Sequence, residues 1–212
     1  MRPDLSLDEY RPADRAALYE VCLRTGRLGA DAGPEHEDRE LLGHVYLGPY
    51  LELEPELAFV VRADGHPEPL GYVVGTADTL AFEAACEERW WPPLRAHYRA
   101  HPPRPGSADE RVVRLIEEGI HSEGEWLAEY PAHLHVDLLE DVRGAGAGRA
   151  LLDRLATALE QRGVPGLHLV VASANEGAVA FYRRLGFAVV AERPGSLVMA
   201  RRLAPAAAPV VR

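Results

Sequence analysis

One short segment constrains the fold of this 212-residue chain more than any other: RGAGAG at positions 143–148. It follows AHLHVDLL (132–139), which alternates apolar and polar residues, and it precedes the amphipathic segment 148–163. Alternation with a period of two predicts a β-strand, and apolar residues spaced three and four apart predict an α-helix. The alternate glycines therefore occupy the turn from a strand into a helix, where they let the backbone approach a ligand closely.

A helix start of this kind is a natural anion site. Its first backbone N–H groups have no partner within the helix, and the helix dipole adds positive potential. Arg143 and Arg149 add charge, so the segment predicts a pyrophosphate site. The GxGxxG pattern of dinucleotide-binding proteins does not fit, because Arg149 or Leu151 stands where its third glycine belongs. Another kind of nucleotide remains a lesser alternative.

The periodicities along the chain predict a mixed α/β fold. Strands are expected at 57–62, 70–78, 132–139, 166–173, 187–192 and 196–202. Helices are expected at 12–25, 38–47, 79–98, 109–119, 148–163 and 175–186. The second helix should stop at Gly48-Pro49, and the third should break at Pro92-Pro93. We expect one domain at 1–203 with an insertion at about 79–131, followed by a frayed tail at 204–212.

Composition excludes several classes of protein. The formal net charge of −10 argues against a nucleic-acid partner and would attract a cationic acceptor. None of the 23 Lys and Arg residues is a lysine, which excludes a lysine-dependent P-loop and Schiff-base chemistry. No apolar run is long enough for a membrane span, and the N-terminus does not resemble a signal peptide. Two isolated cysteines fit buried thiols, and we expect a cytoplasmic protein.

Two segments together resemble the GCN5-related N-acetyltransferase (GNAT) superfamily. RGAGAG resembles its acyl-CoA-binding signature, and NEGAVAFYRRLGF (175–187) resembles its Asn-xx-Ala-xx-Phe-Tyr-xx-Leu-Gly-Phe helix. The resemblance covers roughly 57–202 and is strongest at 133–187. It implies the GNAT fold: a mixed, mostly antiparallel sheet with splayed central strands, flanked by helices. It also implies acetyl-CoA as cosubstrate and an amine acceptor, which could be a small molecule or a protein; it is compatible with a homodimer.

A closer resemblance comes from 53–61, 71–79 and 130–149. These segments are similar to the C-terminal acetyltransferase-like domain of animal O-GlcNAcases and to its free-standing bacterial relatives. That resemblance implies acetyl-CoA binding and names no acceptor. Because such domains can bind the cofactor without efficient catalysis, two functions stay open: an N-acetyltransferase working by direct attack in a ternary complex, and an acetyl-CoA-binding or interaction module.

The resemblance also implies which residues hold the cosubstrate. The backbone near Leu138 and Leu139 is expected to bind the pantetheine arm, and Arg184 to help bind a phosphate. The other expected cofactor contacts are Arg143, Gly144, Ala145, Gly146, Ala147, Gly148, Arg149, Asn175, Ala178, Phe181 and Tyr182.

Catalysis requires a group that takes the proton of the amine and a group that protonates the leaving thiolate. Tyr182 matches the family tyrosine that faces the CoA sulfur and is expected to be the general acid. Asp137 and His135 are the first candidates for the base, and Asp78 is another. His133, His135 and Asp137 share one strand face, but alternate side chains about 6.5–7 Å apart suit a metal poorly, so no metal is expected. The aromatic residues of the insertion either line an acceptor pocket or complete the core.

Overall fold

The computed structural model describes residues 4–204. The tail expected at 204–212 lies outside the described residues from position 205 onward. Seven strands form one sheet, in the order β1-β2-β3-β4-β5-β7-β6. The strands are β1 (Leu5–Glu9), β2 (Ala58–Ala63), β3 (Gly71–Thr76), β4 (Ala132–Leu138), β5 (Gly166–Ala172), β6 (Ala188–Arg193) and β7 (Ser196–Arg202). Every neighbouring pair is antiparallel except β4 and β5, which are parallel. The predicted mixed α/β class is confirmed.

Eight α-helices flank the sheet within the described residues. They are α1 (Arg15–Thr25), α2 (Leu41–Tyr46), α3 (Gly48–Leu53), α4 (Thr79–Ala85), α5 (Trp91–Ala100), α6 (Ala108–Glu118), α7 (Ala147–Gln161) and α8 (Glu176–Arg184). Helix α7 buries Leu151, Leu155 and Leu159 on one face against β2, β3 and β4. That three- and four-residue spacing is the pattern that predicted the helix. Helix α1 packs against the β3–β4 region from another direction, so α1 and α7 enclose much of the core.

One prediction about proline was wrong. Pro92 and Pro93 do not break a helix; they lie in the first turn of α5, where a missing N–H costs nothing. A π-helical turn at Cys86–Trp90 joins α4 to α5 instead. The predicted stop of the second helix at Gly48-Pro49 is confirmed, because α2 ends at Tyr46; the same two residues then begin α3. In both places the sequence marked a boundary correctly, but the proline starts a helix there.

Strand β1 was not predicted. It pairs with β2 at the edge of the sheet, and none of its five residues is buried. Because this edge strand buries few side chains, its sequence shows no clear alternation of apolar and polar residues. Only the backbone pairing with β2 identifies it as a strand.

Candidate active site

The centre of the sheet opens between β4 and β5. These strands pair only at Ala132↔Leu167 and His133↔His168, although β4 continues to Leu138. Strand β5 meanwhile pairs with β7 along its whole length, from Gly166↔Arg202 to Ala172↔Ser196. The two strands therefore diverge beyond His133 and leave a gap, which is the splay expected from the family resemblance.

Backbone groups of β4 point into this gap. The Leu139 N–H donates to the Leu70 carbonyl at 2.9 Å, so residue 139 faces β3. In an antiparallel ladder, alternate residues turn their backbone groups to opposite sides. Val136 and Leu138 therefore direct their N–H groups toward the splayed β5. The Leu139 N–H, expected to bind pantetheine, is already used within the sheet; Val136 takes its place beside Leu138.

The glycine loop lies at the open end of this gap. Gly144 and Gly146 have φ angles of +72° and +91°, a backbone region that favours glycine. A Cβ atom added at either glycine would meet nothing within 4 Å, so the space above the loop is open. Helix α7 begins at Ala147, and no side chain caps it. The first N–H groups of α7 thus lie beside open space, and anion binding at this helix start stays a prediction.

A close approach joins the loop to α8. A Cβ on Gly148 would stand 3.0 Å from Cζ of Phe181 and 3.2 Å from Cδ1 of Leu138. Glycine at 148 therefore lets α7, β4 and α8 meet at one point. Asn175 caps α8 by accepting the Ala178 N–H at 3.1 Å, which fixes the start of the helix. These residues were predicted as cofactor contacts, and in this structure they also set where α8 lies.

The arginines that were predicted to bind phosphates differ in their contacts within the protein. The guanidinium of Arg143 donates to the Leu138 carbonyl at 2.8 Å and to the Gly29 carbonyl at 2.6 Å. It thereby fastens the segment after α1 to the end of β4. Arg149 and Arg184 are exposed, and no ion pair within residues 4–204 holds either side chain. They remain available to phosphates.

Tyr182 lies on α8 next to Phe181 and is only 9% exposed. Burial raises the pKa of its hydroxyl well above the usual value, and the negative charge of Asp137 raises it further. No residue in the described part of the chain hydrogen-bonds this hydroxyl. At neutral pH Tyr182 is therefore a protonated group that can donate a proton.

The three predicted base candidates differ in their contacts. The Tyr72 hydroxyl donates to the Asp137 carboxylate at 2.6 Å. Burial raises the pKa of Asp137, and the hydrogen bond from Tyr72 partly opposes this. Asp78 instead accepts the Ala81 N–H at 3.0 Å as the exposed N-cap of α4. A helix cap explains this aspartate, and the structure does not bring it together with Tyr182.

His135 has the most open surroundings of the histidines nearby. Both ring nitrogens of His133 are bonded, Nε2 to the Tyr50 hydroxyl at 2.6 Å and Nδ1 to the Thr79 hydroxyl at 2.8 Å. His135 contacts the rings of Tyr46 and Tyr50, but no hydrogen bond within the described chain occupies its nitrogens. Burial lowers the pKa of His135 to about 4, so its imidazole is neutral at pH 7 and has a free lone pair, although it binds a proton less readily than an exposed histidine.

A cavity of about 180 Å³, here called the insertion cavity, opens at the start of the gap. His133, Leu134, His135, His168, Leu169 and Val170 line it from β4 and β5. Val45, Tyr46, Pro49 and Tyr50 line it from α2 and α3. Phe82, Glu83, Cys86, Trp91, Ile120 and Ser122 line it from the insertion. Sequence reasoning named the insertion as a candidate wall without identifying these residues, because the chain segments that meet here are far apart.

The buried histidines predict acid-sensitive folding. His168 is 2% exposed, and burial lowers its pKa from 6.5 to about 4. As the pH falls below 6.5, His168 therefore binds a proton in the unfolded chain, whereas in the folded chain it stays neutral until about pH 4. The free energy of unfolding is therefore highest above about pH 6.5, and each such histidine lowers it by roughly 3 kcal/mol as the pH drops toward 4.

Urea unfolding at several pH values measures this effect. We expect His168→Gln to weaken the dependence of unfolding free energy on pH between 6.5 and 4. His66→Gln, which changes an exposed histidine, should leave it unchanged. The same pH dependence in His168→Gln and wild type would contradict the prediction.

The fold and this site define a class: an α/β protein with a splayed sheet and a glycine loop that leads into a helix at the splay. The chain belongs to the acetyltransferase (GNAT) family, whose sequence model matches residues 25–187. Members of this family use acetyl-CoA. Within the described residues no group of three or more His, Cys, Asp or Glu side chains could hold a metal ion, and no helix is long and apolar enough to cross a membrane.

Similar proteins support this assignment. The crystal structure of SsHAT is 41% identical, with a TM-score of 0.88, over 95% of this chain and 100% of that one. The structure of PH1933 from Pyrococcus horikoshii OT3 has a TM-score of 0.60 at 15% identity, over 95% and 99% of the two chains, and shows likeness of fold alone. The [ribosomal protein bS18]-alanine N-acetyltransferase of Escherichia coli K12 is 49% identical over 47 residues. That match covers 22% of this chain and 32% of the curated relative.

Proposed function

We propose that this protein is an N-acetyltransferase that moves the acetyl group of acetyl-CoA directly to an amine. The observation that carries the proposal is the continuity of three features. An open glycine loop at Gly144–Gly146, the N–H groups of Val136 and Leu138 that face the gap, and the insertion cavity follow one another along the β4–β5 gap. A pyrophosphate, a pantetheine arm and an acceptor would fill them in that order.

The residues beside the gap supply the chemistry. The amine nitrogen loses a proton to His135 and attacks the thioester carbonyl carbon, so that a C–N bond forms and the C–S bond breaks. The N–H of Val136 or Leu138 is placed to stabilise charge on the carbonyl oxygen, as an oxyanion hole does. The CoA thiolate leaves and takes a proton from Tyr182. Asp137 is the second candidate for the base, because its carboxylate already accepts a hydrogen bond from the Tyr72 hydroxyl.

The alternative is a module that binds acetyl-CoA or a partner with little turnover. The resemblance to the acetyltransferase-like domain of O-GlcNAcases favours it, and that closer relationship remains part of the proposal. The unpartnered nitrogens of His135 favour the enzyme, because a binding module needs no proton acceptor beside an open cavity. The cytoplasmic location and the homodimer remain predictions.

Calorimetric titration with acetyl-CoA and with free CoA tests the first half of the proposal. We expect binding in the micromolar range or tighter. No binding to either molecule would contradict the assignment of the gap.

A base variant tests the second half. His135→Gln should lower kcat about 100-fold while leaving acetyl-CoA affinity unchanged, since general-base catalysis contributes about that much. His66→Gln provides an exposed control. If Asp137→Asn abolishes turnover and His135→Gln does not, the base is Asp137.

Cys86 permits a prediction that separates direct attack from an acetyl-cysteine intermediate. It lines the insertion cavity, and burial raises the pKa of its thiol to about 12. Only about one thiol in 10⁵ is then ionised at pH 7, too few for a nucleophile. We expect Cys86→Ser to keep the acetyl-transfer rate within about threefold, because an active-site nucleophile would lose far more. Loss of activity, together with acetylated Cys86 in mass spectra of the wild type, would contradict direct transfer.

A further inference from the structure

The wall of the insertion cavity is mostly apolar. Trp91, Phe82 and Leu169 are buried on its sides. Ile120 and Val170 also line it, yet they are 36% and 53% exposed. Large apolar side chains left open beside a concave site are typical of a surface that an apolar ligand covers.

One carboxylate faces the same cavity. The side chain of Glu83 is 9% exposed, and its Oε2 accepts the Ser122 N–H at 2.9 Å. That hydrogen bond uses Oε2, and Oε1 is not a buried atom left without a partner, which leaves it accessible from the cavity. An accessible carboxylate oxygen in a mostly apolar wall can accept a charge-assisted hydrogen bond from an ammonium group of a ligand.

The other polar groups of the wall are mostly used. The Nδ1 of His168 bonds the Tyr130 carbonyl at 2.7 Å, and both nitrogens of His133 are occupied. His135 is the histidine of the wall without such partners. No arginine between residues 4 and 204 lines the cavity. The cavity therefore offers apolar surface, one anionic oxygen and one neutral imidazole.

From this arrangement we infer that the acceptor is a primary amine carried on a compact apolar body, such as an arylalkylamine, with its nitrogen between Glu83 and His135. The inference rests on the proposed acetyl transfer and adds the substrate class. A volume of about 180 Å³ suits one ring with a short arm. An amino sugar would bury several hydroxyls without partners, and a polyamine would bring a second ammonium that has no second carboxylate.

The proton balance fits these two residues. Glu83 binds the amine as its ammonium ion, and the apolar wall favours its neutral form. The ammonium gives one proton to His135 and becomes the nucleophile. After the C–N bond has formed, the CoA sulfur takes a proton from Tyr182, the second proton of the nitrogen restores the Tyr182 hydroxyl, and His135 releases the first proton to solvent. The net products are the amide, CoA–SH and one proton released to solvent.

The test measures CoA release with a thiol reagent over an acceptor panel. The panel is 2-phenylethylamine, hexylamine, glucosamine, spermidine, a lysine peptide and a peptide that begins with alanine. We expect kcat/KM for the two apolar amines to exceed the others at least tenfold. Glu83→Gln should raise KM for 2-phenylethylamine at least tenfold and leave the acetyl-CoA Kd unchanged. Glu88→Gln, the same change at an exposed position of the same helical segment, should alter neither.

Each other outcome has a distinct meaning. Preference for a sugar, a polyamine or a peptide, with normal acetyl-CoA binding, overturns the inference and leaves acetyl transfer standing. Preference for butyryl-CoA or hexanoyl-CoA, with no effect of Glu83→Gln on the amine, overturns it too, since the cavity then holds the acyl chain. If acetyl-CoA fails to bind, acetyl transfer is wrong. Calorimetry with 2-phenylethylamine alone then tests the amine site separately. If the wild type binds the amine and Glu83→Gln binds it more weakly, the amine site is supported. If the wild type does not bind the amine, the inference is overturned.

Discussion

Replacing Gly146 by glutamate should weaken acetyl-CoA binding about 100-fold, as though two charge-assisted hydrogen bonds of about 1.5 kcal/mol each were lost. Gly146 has a φ of +91° at the start of α7, and the space beside it is open. A side chain there would strain the backbone by about 1–2 kcal/mol. Its carboxylate would also occupy the space proposed for the pyrophosphate and repel it.

Gly163→Glu is the matched control for this experiment. Gly163 has a φ of +74°, also has open space around it, and lies just beyond the other end of α7. The control therefore reproduces the strain and the charge away from the loop. Calorimetry on both variants separates the effects: equal loss of affinity in the two would mean that the loop is not the cofactor site.

The second large effect is expected from Tyr182→Phe, which removes one oxygen and keeps the packing against Phe181 and Phe187. The rate kcat should fall at least about 100-fold, because the leaving thiolate loses its proton donor. Acetyl-CoA affinity should change less than about threefold, since the phenyl ring fills the same space. Steady-state kinetics and calorimetry together measure the two quantities.

The pH profile refines this test. Tyr182 is active while protonated, so its raised pKa places the loss of activity above pH 10 as the pH rises. An unchanged kcat in Tyr182→Phe would remove the tyrosine from the mechanism. A fall in kcat accompanied by an equal loss of acetyl-CoA affinity would indicate a role in packing alone. Phe187→Leu, a change of the neighbouring ring, serves as the packing control.

The sequence predicted local structure well wherever one segment contained the whole signal. Asn175 was predicted as a helix cap and accepts the Ala178 N–H, and the glycines of the 143–148 loop lie in the expected turn between β4 and α7. Asp137 and His135 lie on one face of β4, as alternation required. These features depend on neighbours a few residues away, which periodicity and turn chemistry can resolve.

Features that depend on distant segments were beyond the sequence. Leu139 was expected to bind pantetheine, but the register with β3 assigns its N–H to Leu70. Glu83 gave no local signal, because its place in the cavity wall depends on Ser122 and on the β4–β5 gap. Asp78 was a candidate for the base because it is an acidic residue at the end of a strand, but its role as the N-cap of α4 explains an aspartate at this position equally well.

The short pairing between β4 and β5 has a mechanical consequence. Among the residues that the structure describes, two pairs, Ala132↔Leu167 and His133↔His168, connect the four-stranded half of the sheet to the three-stranded half. A pantetheine arm bonded to Val136 and Leu138 would act as a short missing strand and close this seam. The cosubstrate would then be a structural component of the sheet for one catalytic cycle, and each release of CoA would leave β4 and β5 joined by those two pairs again.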